Sequence, residues 1–305
     1  MRTAPRPPEP SIVKQRLGRA GAWLGSLSPA PADEARAAAV EIERLGYTTL
    51  WFGETPTSRE SLAHAALLLS ATQRLQVATG IANIYARDAV AAANGARTLA
   101  EAWGGRFTLG LGVSHAPLVT TRGHDYSKPV ATMRAYLDAM DATSFAAPIA
   151  EEPPRLLAAL RRKMLELAAT QAQGAHPYFT TPEHTAMARE VLGPDPVLAP
   201  EQAVVVNTDP AQARAIARRY ASLYLGLPNY VNNLRELGFS DRDFEGGGSD
   251  ALIDAIIPWG DPETIGAHVR AHHEAGADHV CVQPLAGTLA EQLEHLRLLA
   301  PVLVG

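Results

Sequence analysis

The segment Gly110-Leu111-Gly112-Val113-Ser114-His115-Ala116 concentrates residue types that could do chemistry. Three chemistries compete for it. The G-x-G spacing begins a dinucleotide-binding turn, but the third glycine such a turn needs is missing. Gly112-Val113-Ser114-His115-Ala116 approaches G-x-S-x-G, the sharp turn that exposes a nucleophilic serine, with alanine in the last place. A Ser114 hydrolase is therefore one alternative. The third is proton transfer by histidine, whose imidazole titrates near neutrality. His115 is the first candidate for that role, His176 the second, and the carboxylate of Glu54 the third. Elsewhere, Thr180-Thr181-Pro182-Glu183 opens a helix, and free N–H groups at a helix amino end attract phosphate. His272, His273 and His279 lack the H-E-x-x-H spacing of a zinc site. They read as exposed helix and strand-entry residues, and no metal site is expected. His64 reads as a packing residue, Cys281 as buried and inert, and Trp51 and Phe52 as core packing.

These residues need elements to position them, and the chain alternates short apolar runs with helical stretches. The runs are Gly21–Leu27, Thr48–Gly53, Leu75–Ala82, Arg106–Val113, Arg155–Leu160, Ala175–Thr180, Ala203–Asn207 and His279–Pro284. Between them, segments such as Asp33–Gly46 space Ala35, Ala38, Ala39, Ile42 and Leu45 as one helical stripe. Alternating strands and helices predict a parallel sheet covered by helices. Eight strands, each with a helical partner, predict a single (β/α)8 TIM barrel over residues 20–305, following a flexible tail at residues 1–19. The competing doubly wound sheet would carry its nucleotide turn after the first strand, and none is there. Thr181-Pro182, Asp209-Pro210 and Asp261-Pro262 each read as an N-cap followed by proline at the first helical position. Leu227–Ile257, with Gly246-Gly247-Gly248, is too long for a simple loop and reads as a flexible insertion before the last strand. Barrel enzymes place chemistry at the carboxyl ends of their strands. That rule gathers Glu54, Thr55, Gly80–Tyr85, Ser114, His115, Arg161, Arg162, His176–Thr181 and Gln283 at one mouth.

Composition removes other classes. The net charge is −5 with acids and bases interleaved, which does not suit a nucleic-acid binder. No apolar run reaches the roughly 18 residues of a membrane span. The single cysteine rules out an intrachain disulfide and fits a reducing cytoplasm.

Leu50-Trp51-Phe52-Gly53-Glu54, Ala78-Thr79-Gly80-Ile81-Ala82-Asn83-Ile84-Tyr85-Ala86-Arg87 and Gly105-Arg106-Phe107-Thr108-Leu109-Gly110-Leu111-Gly112 follow one another at barrel spacing. Together they resemble the luciferase-like monooxygenase superfamily, on the branch of oxidoreductases that use the deazaflavin F420. Gly112–Pro117 resembles an actinobacterial subgroup of that branch. The likeness runs from about Gly21 to Leu299.

The resemblance implies a non-prolyl cis peptide between Gly80 and Ile81, backing the cofactor ring, with Ala82 and Asn83 beside it. It implies that Val113, Ser114, His115 and Tyr178 line the pocket, and that Thr180, Thr181 and the amides after them hold the phosphate. Hydride transfer between F420 and an unknown small organic substrate is the implied reaction. An FMN-dependent monooxygenase using O2 is the alternative within the family, and a non-catalytic barrel binding a flavin-like ligand is the alternative outside enzymes. A homodimer is implied as well. Two departures stand out: Thr55 replaces a histidine common after the second strand, and Arg161-Arg162-Lys163 replaces a glycine-containing turn. The first leaves the proton to another group, such as His115 or His176. The second puts cations where they either meet an anionic cofactor tail, through Arg161, or crowd it.

Overall fold

A computed structural model describes residues 6–305. Eight strands form the frame: β1 Ala20–Trp23, β2 Thr49–Phe52, β3 Gln76–Thr79, β4 Phe107–Gly112, β5 Arg155–Leu157, β6 Gly174–Ala175, β7 in two segments (Val197–Leu198 and Glu201–Val206) and β8 Val280–Pro284. All pairings are parallel. The first half of β7 pairs with β6, with Gly174 opposite Val197, and the second half pairs with β8, with Glu201 opposite Cys281. Pro200, which has no N–H to give, separates the halves while its carbonyl accepts from the Cys281 amide. Because β8 also pairs with β1, the eight strands close on themselves. The (β/α)8 expectation holds.

The outer layer is helical: α2 Ala32–Arg44, α3 Ser61–Leu69, α4 Ala89–Ala102, α6 Pro129–Asp141, α7 Arg162–Gln171, α8 Pro182–Leu192, α12 Pro262–Glu274 and α13 Leu289–Leu303. The stripe Ala35, Ala38, Ala39 and Ile42 is the buried face of α2. Side-chain caps hold the three proline-led starts: Thr181 accepts from the His184 amide, Asp209 from Gln212 and Asp261 from Thr264.

Several expectations change. Residues 1–5 of the tail lie outside the described residues, but Pro10–Leu17 is a helix, α1, with Val13 and Leu17 buried. These two side chains pack with Trp51, Leu156, Val197 and Cys281, so α1 covers one end of the barrel. The Leu17 carbonyl accepts from the hydroxyls of Thr48 and Thr49, which ties α1 to β2. Residues 227–257 are ordered: α10 Pro228–Glu236, a 3-10 segment Asp241–Gly247 and α11 Asp250–Ile256. They pack on α9 Pro210–Leu225 through buried Tyr230, Leu234, Leu252, Ile253 and Ile256, a second apolar core that overrides the glycines. Strand one ends at Trp23 and a 3-10 turn, Gly25–Leu27, follows. The sixth strand is only Gly174–Ala175, because the chain turns away at Phe179 with φ +58°.

His272 and His279 are fully buried, not exposed. The His279 Nδ1–H donates to the Gly18 carbonyl, and its Nε2 accepts the Trp51 indole N–H at 3.0 Å. His272 bridges Thr185 on α8 and Gln202 on β7. Burial lowers both pKa values to about 3, so each is a neutral structural group. His64 packs on Phe52, and Cys281 is buried mid-strand.

Candidate active site

The strand ends expected to converge do so at one mouth. Its floor is the end of β3. The peptide Gly80–Ile81 is cis, and a short strand Ala82–Asn83 follows it and pairs with β4. The Gly80 amide donates to the Phe52 carbonyl at 2.7 Å, and the Gly80 carbonyl accepts the Trp23 indole N–H at 3.2 Å. A Cβ on Gly80 would stand 2.6 Å from Trp23 Nε1 and 2.9 Å from His176 Nε2. The glycines of the G-x-G turn have a local explanation. A Cβ on Gly110 would lie 1.8 Å from the Thr79 carbonyl oxygen, and one on Gly112 2.5 Å from Ile81 Cδ1. They make room for the end of β3 and cradle no phosphate.

His176 lies beneath this floor. It is buried, stacked on Trp51 with ring centroids 4.4 Å apart, and its Nδ1–H donates to the Ala199 carbonyl at 2.7 Å. That bond fixes the tautomer and leaves Nε2 as a buried acceptor with no partner. Burial lowers its pKa to about 4. Glu54 is committed to its neighbours. Its carboxylate accepts the amides of Ser61 and Asn83, at 3.2 and 2.8 Å, and forms a buried ion pair with Arg87, which also reaches Glu60 at 2.6 Å. Glu54 therefore locks the end of β2 to the loop after β3.

On the β4 side, Ser114 takes a left-handed φ of +59° and His115 precedes a short helix, α5 Ala116–Thr120. Among the described residues no histidine or carboxylate hydrogen-bonds the Ser114 hydroxyl, so the geometry does not activate it as a nucleophile. The His115 ring stands 5.4 Å from the Tyr230 ring, and burial lowers its pKa. Arg161 is half-exposed and reaches Glu236 at 3.8 Å.

The β6 side joins Tyr178 and Gln283, which the strand-end rule gathered, to Tyr220, Tyr224 and Glu201, which it did not. Tyr178, on the segment leaving β6, meets Tyr220 and Tyr224 of α9, with hydroxyl separations of 2.6 and 3.1 Å. The Gln283 carbonyl oxygen accepts from Tyr178 at 2.8 Å and from Tyr220 at 3.1 Å. Phe179 stacks on Tyr224 at 4.8 Å and meets Tyr230 edge-on. The Phe179 amide donates at 3.2 Å to Glu201, a carboxyl buried in the barrel whose other oxygen has no partner. Burial raises the Glu201 pKa to about 8. Alternation could have found it, since Glu201, Ala203 and Val205 share one face, but a strand begun at Ala203 leaves it out. Tyr220 and Tyr224 come from α9 and Tyr230 from the insertion after it, where no local pattern points to the mouth. Thr180 and Thr181, at the amino end of α8, are buried, and the Thr180 Oγ1 has no partner.

Two clefts lie elsewhere, of about 170 Å3 beside Arg97 and Glu152 and about 450 Å3 beside Trp259 and Asp254. Their acids are already paired, Glu152 with Arg97 and Asp254 with Arg214. Among the described residues no group of three His, Cys, Asp or Glu side chains could hold a metal ion, and no helix is long and apolar enough to cross a membrane.

Comparison with known proteins agrees with this architecture. The chain is 22% identical to a 5,10-methylenetetrahydromethanopterin reductase of Methanolobus tindarius, over 86% of this chain and 93% of that one. The fold is similar to the coenzyme F420-dependent tetrahydromethanopterin reductase of Methanopyrus kandleri, with a TM-score of 0.77 at 16% identity, covering 95% of this chain and 99% of that one. It is also similar to the oxygenating constituent of 3,6-diketocamphane monooxygenase from Pseudomonas putida in complex with FMN, with a TM-score of 0.69 at 14% identity over 94% and 98% of the two chains. Residues 16–279 match the family model for luciferase-like monooxygenases, and the chain belongs to that family.

Proposed function

We propose that the protein is an F420-dependent oxidoreductase that transfers hydride between the deazaflavin and a small organic substrate. The observation that carries this reading is the pairing of two features on one mouth. One is the floor at Gly80, kept open above His176 by the missing side chain. The other is the unpartnered Thr180 hydroxyl at the amino end of α8. These residues fit the cofactor: backbone on one side for a planar ring, and a hydroxyl with helix amides on the other for a phosphate. Gly80, Ile81, Ala82, Asn83, Val113, Ser114 and Tyr178 would surround the ring, Thr180 and Thr181 would hold the phosphate, and Arg161 would meet an anionic tail. The bound deazaflavin supplies the hydride chemistry.

The chain's own part is to orient the substrate and to move a proton. His115 is the first candidate for that proton. It is half-buried at the mouth and its lowered pKa keeps it neutral at pH 7, ready to accept a proton from an alcohol. His176 is the second, through its free Nε2. Glu54, the third, acts by holding the floor through Asn83 and Arg87. FMN with O2 is the second reading, supported by the similarity to the FMN-bound monooxygenase. A cytoplasmic homodimer is also proposed, for which light scattering should give about twice 32.5 kDa. Fluorescence titration with F420 and, separately, with FMN tests the reading. F420 binding without FMN binding is expected. FMN binding alone moves the function to the monooxygenase reading, and binding of neither overturns both in favour of a non-catalytic barrel.

A further inference from the structure

We infer that the site takes uncharged substrates, and that the side-chain amide of Gln283 and the hydroxyl of Tyr224 bind a ketone or alcohol oxygen. The inference deepens the oxidoreductase reading and rests on it for the reaction, though not for the binding.

Proton accounting in the tyrosine cluster leads to this pair. A phenol has one proton to donate. The Gln283 oxygen takes its proton either from Tyr178 at 2.8 Å, with Tyr220 donating to Tyr178 at 2.6 Å, or from Tyr220 at 3.1 Å, with Tyr178 donating to Tyr220. Either way the Tyr178 proton is used, so in the 3.1 Å contact between Tyr178 and Tyr224 the donor is Tyr224. The Tyr224 oxygen is left with acceptor capacity only. Tyr220 also reaches the Gln283 oxygen, at 3.1 Å. The oxygen is held at the end of this phenol chain, and the NH2 of the same amide has no partner among the described residues. The NH2 is also not among the buried unpartnered atoms, so it is not sealed from solvent. The Tyr178 hydroxyl joins the two groups, 2.8 Å from the Gln283 oxygen and 3.1 Å from the Tyr224 oxygen, so one side supplies an N–H donor and the other an oxygen acceptor. An alcohol uses both, and a ketone uses the donor.

The surrounding wall is aromatic. Trp23, bound to the Gly80 carbonyl, lies 5.6 Å from the Tyr178 ring, Tyr224 lies 5.1 Å from Tyr230, and Tyr230 lies 5.4 Å from His115. Glu54 is paired with Arg87, and Arg161 lies half-exposed at the rim, 3.8 Å from Glu236, where the cofactor tail is proposed. The unpaired carboxyl, Glu201, is held uncharged at neutral pH by burial, and His115 is neutral. A carboxylate or phosphate on the substrate would lose its water against this wall without a counter-charge, which costs several kcal/mol.

Ligand-observed NMR titration of the full-length protein, alone and with whichever cofactor binds, tests the inference with cyclohexanone, cyclohexanol and cyclohexanecarboxylate as matched probes. The ketone and the alcohol should bind at least about tenfold more tightly than the carboxylate. Gln283→Leu should weaken both neutral probes about tenfold, the effect of one lost hydrogen bond in a buried site. Tyr224→Phe should weaken the alcohol more than the ketone, a split that a general loss of packing would not produce. Equal or tighter carboxylate binding overturns the inference. So does the absence of binding by either neutral probe, or unchanged affinities in both variants. Failure of F420 and FMN to bind would overturn the proposed function and leave these outcomes standing.

Discussion

Glu201 accepts the backbone N–H of Phe179 at 3.2 Å, and this bond ties the barrel interior to the left-handed residue from which Tyr178 and Thr180 diverge. Its pKa of about 8 exceeds the value of 4.5 for a free glutamate because burial disfavours the charge. Between those two values the unfolded chain is ionised and the folded one is not, so stability falls as pH rises through that window. Glu201→Gln keeps an acceptor for Phe179 and removes the ionisation. From pH 6.5 to 8 the wild-type melting temperature should fall while that of the variant stays flat, leaving the variant about 3–6 °C higher at pH 8. Parallel curves would sink this assignment.

The buried histidines act in the opposite sense. Burial lowers His64, His176 and His184 to about 4, and His272 and His279 to about 3. Below pH 6.5 the unfolded chain binds protons that the folded chain refuses, so stability is lost as pH falls. Melting followed by circular dichroism should drop by about 5–10 °C between pH 6.5 and 5. His64 is the member with neither nitrogen bonded. His64→Leu should raise the melting temperature and make the acid slope shallower, and an unchanged slope would contradict this account.

Gly80→Ala puts a methyl group against Trp23 Nε1 and His176 Nε2. Overpacking of this kind costs about 1–3 kcal/mol. Denaturant unfolding should show that loss, and Trp23→Phe in the same chain should recover part of it, because the two sites couple by contact. Full additivity would mean that the methyl group meets something else.

Glu54→Gln removes the charge opposite Arg87, which still keeps Glu60. The expected destabilisation is therefore about 1–3 kcal/mol, below the ~3–5 of a wholly orphaned buried ion. If Glu54 served chiefly as a base, activity would collapse with the unfolding curve unmoved.

Thr180→Val removes a buried hydroxyl that has no partner among the described residues. Thermal stability should hold or rise slightly. F420 affinity, read by fluorescence, should fall about tenfold, the loss of one hydrogen bond to a charged group. Unchanged affinity would move the phosphate away from α8.

The sequence alone determined the barrel, because its evidence is local and repeated. Apolar runs alternate with striped helices, and the three Thr-Pro and Asp-Pro starts became capped helices. Strand ends in a barrel share one face, so Gly80, Ser114, His115, Thr180 and Thr181 read as neighbours from the sequence, while the cis Gly80–Ile81 peptide was legible only through the family resemblance. What the tertiary structure decided depends on partners far apart in the chain. Glu54 is paired because Arg87 returns to it after β3. His272 and His279 are buried because Gln202 and Trp51 supply hydrogen bonds that local polarity cannot foretell. The tail helix is held because Val13 and Leu17 find the barrel end, two apolar residues too few to signal by themselves. The tyrosine wall arises only when α9 and α10 fold over the mouth and bring Tyr220 and Tyr224 to Tyr178 and Gln283. Hydrogen bonds between residues more than 40 positions apart leave no periodicity in a sequence, and the tyrosine wall is built from such bonds.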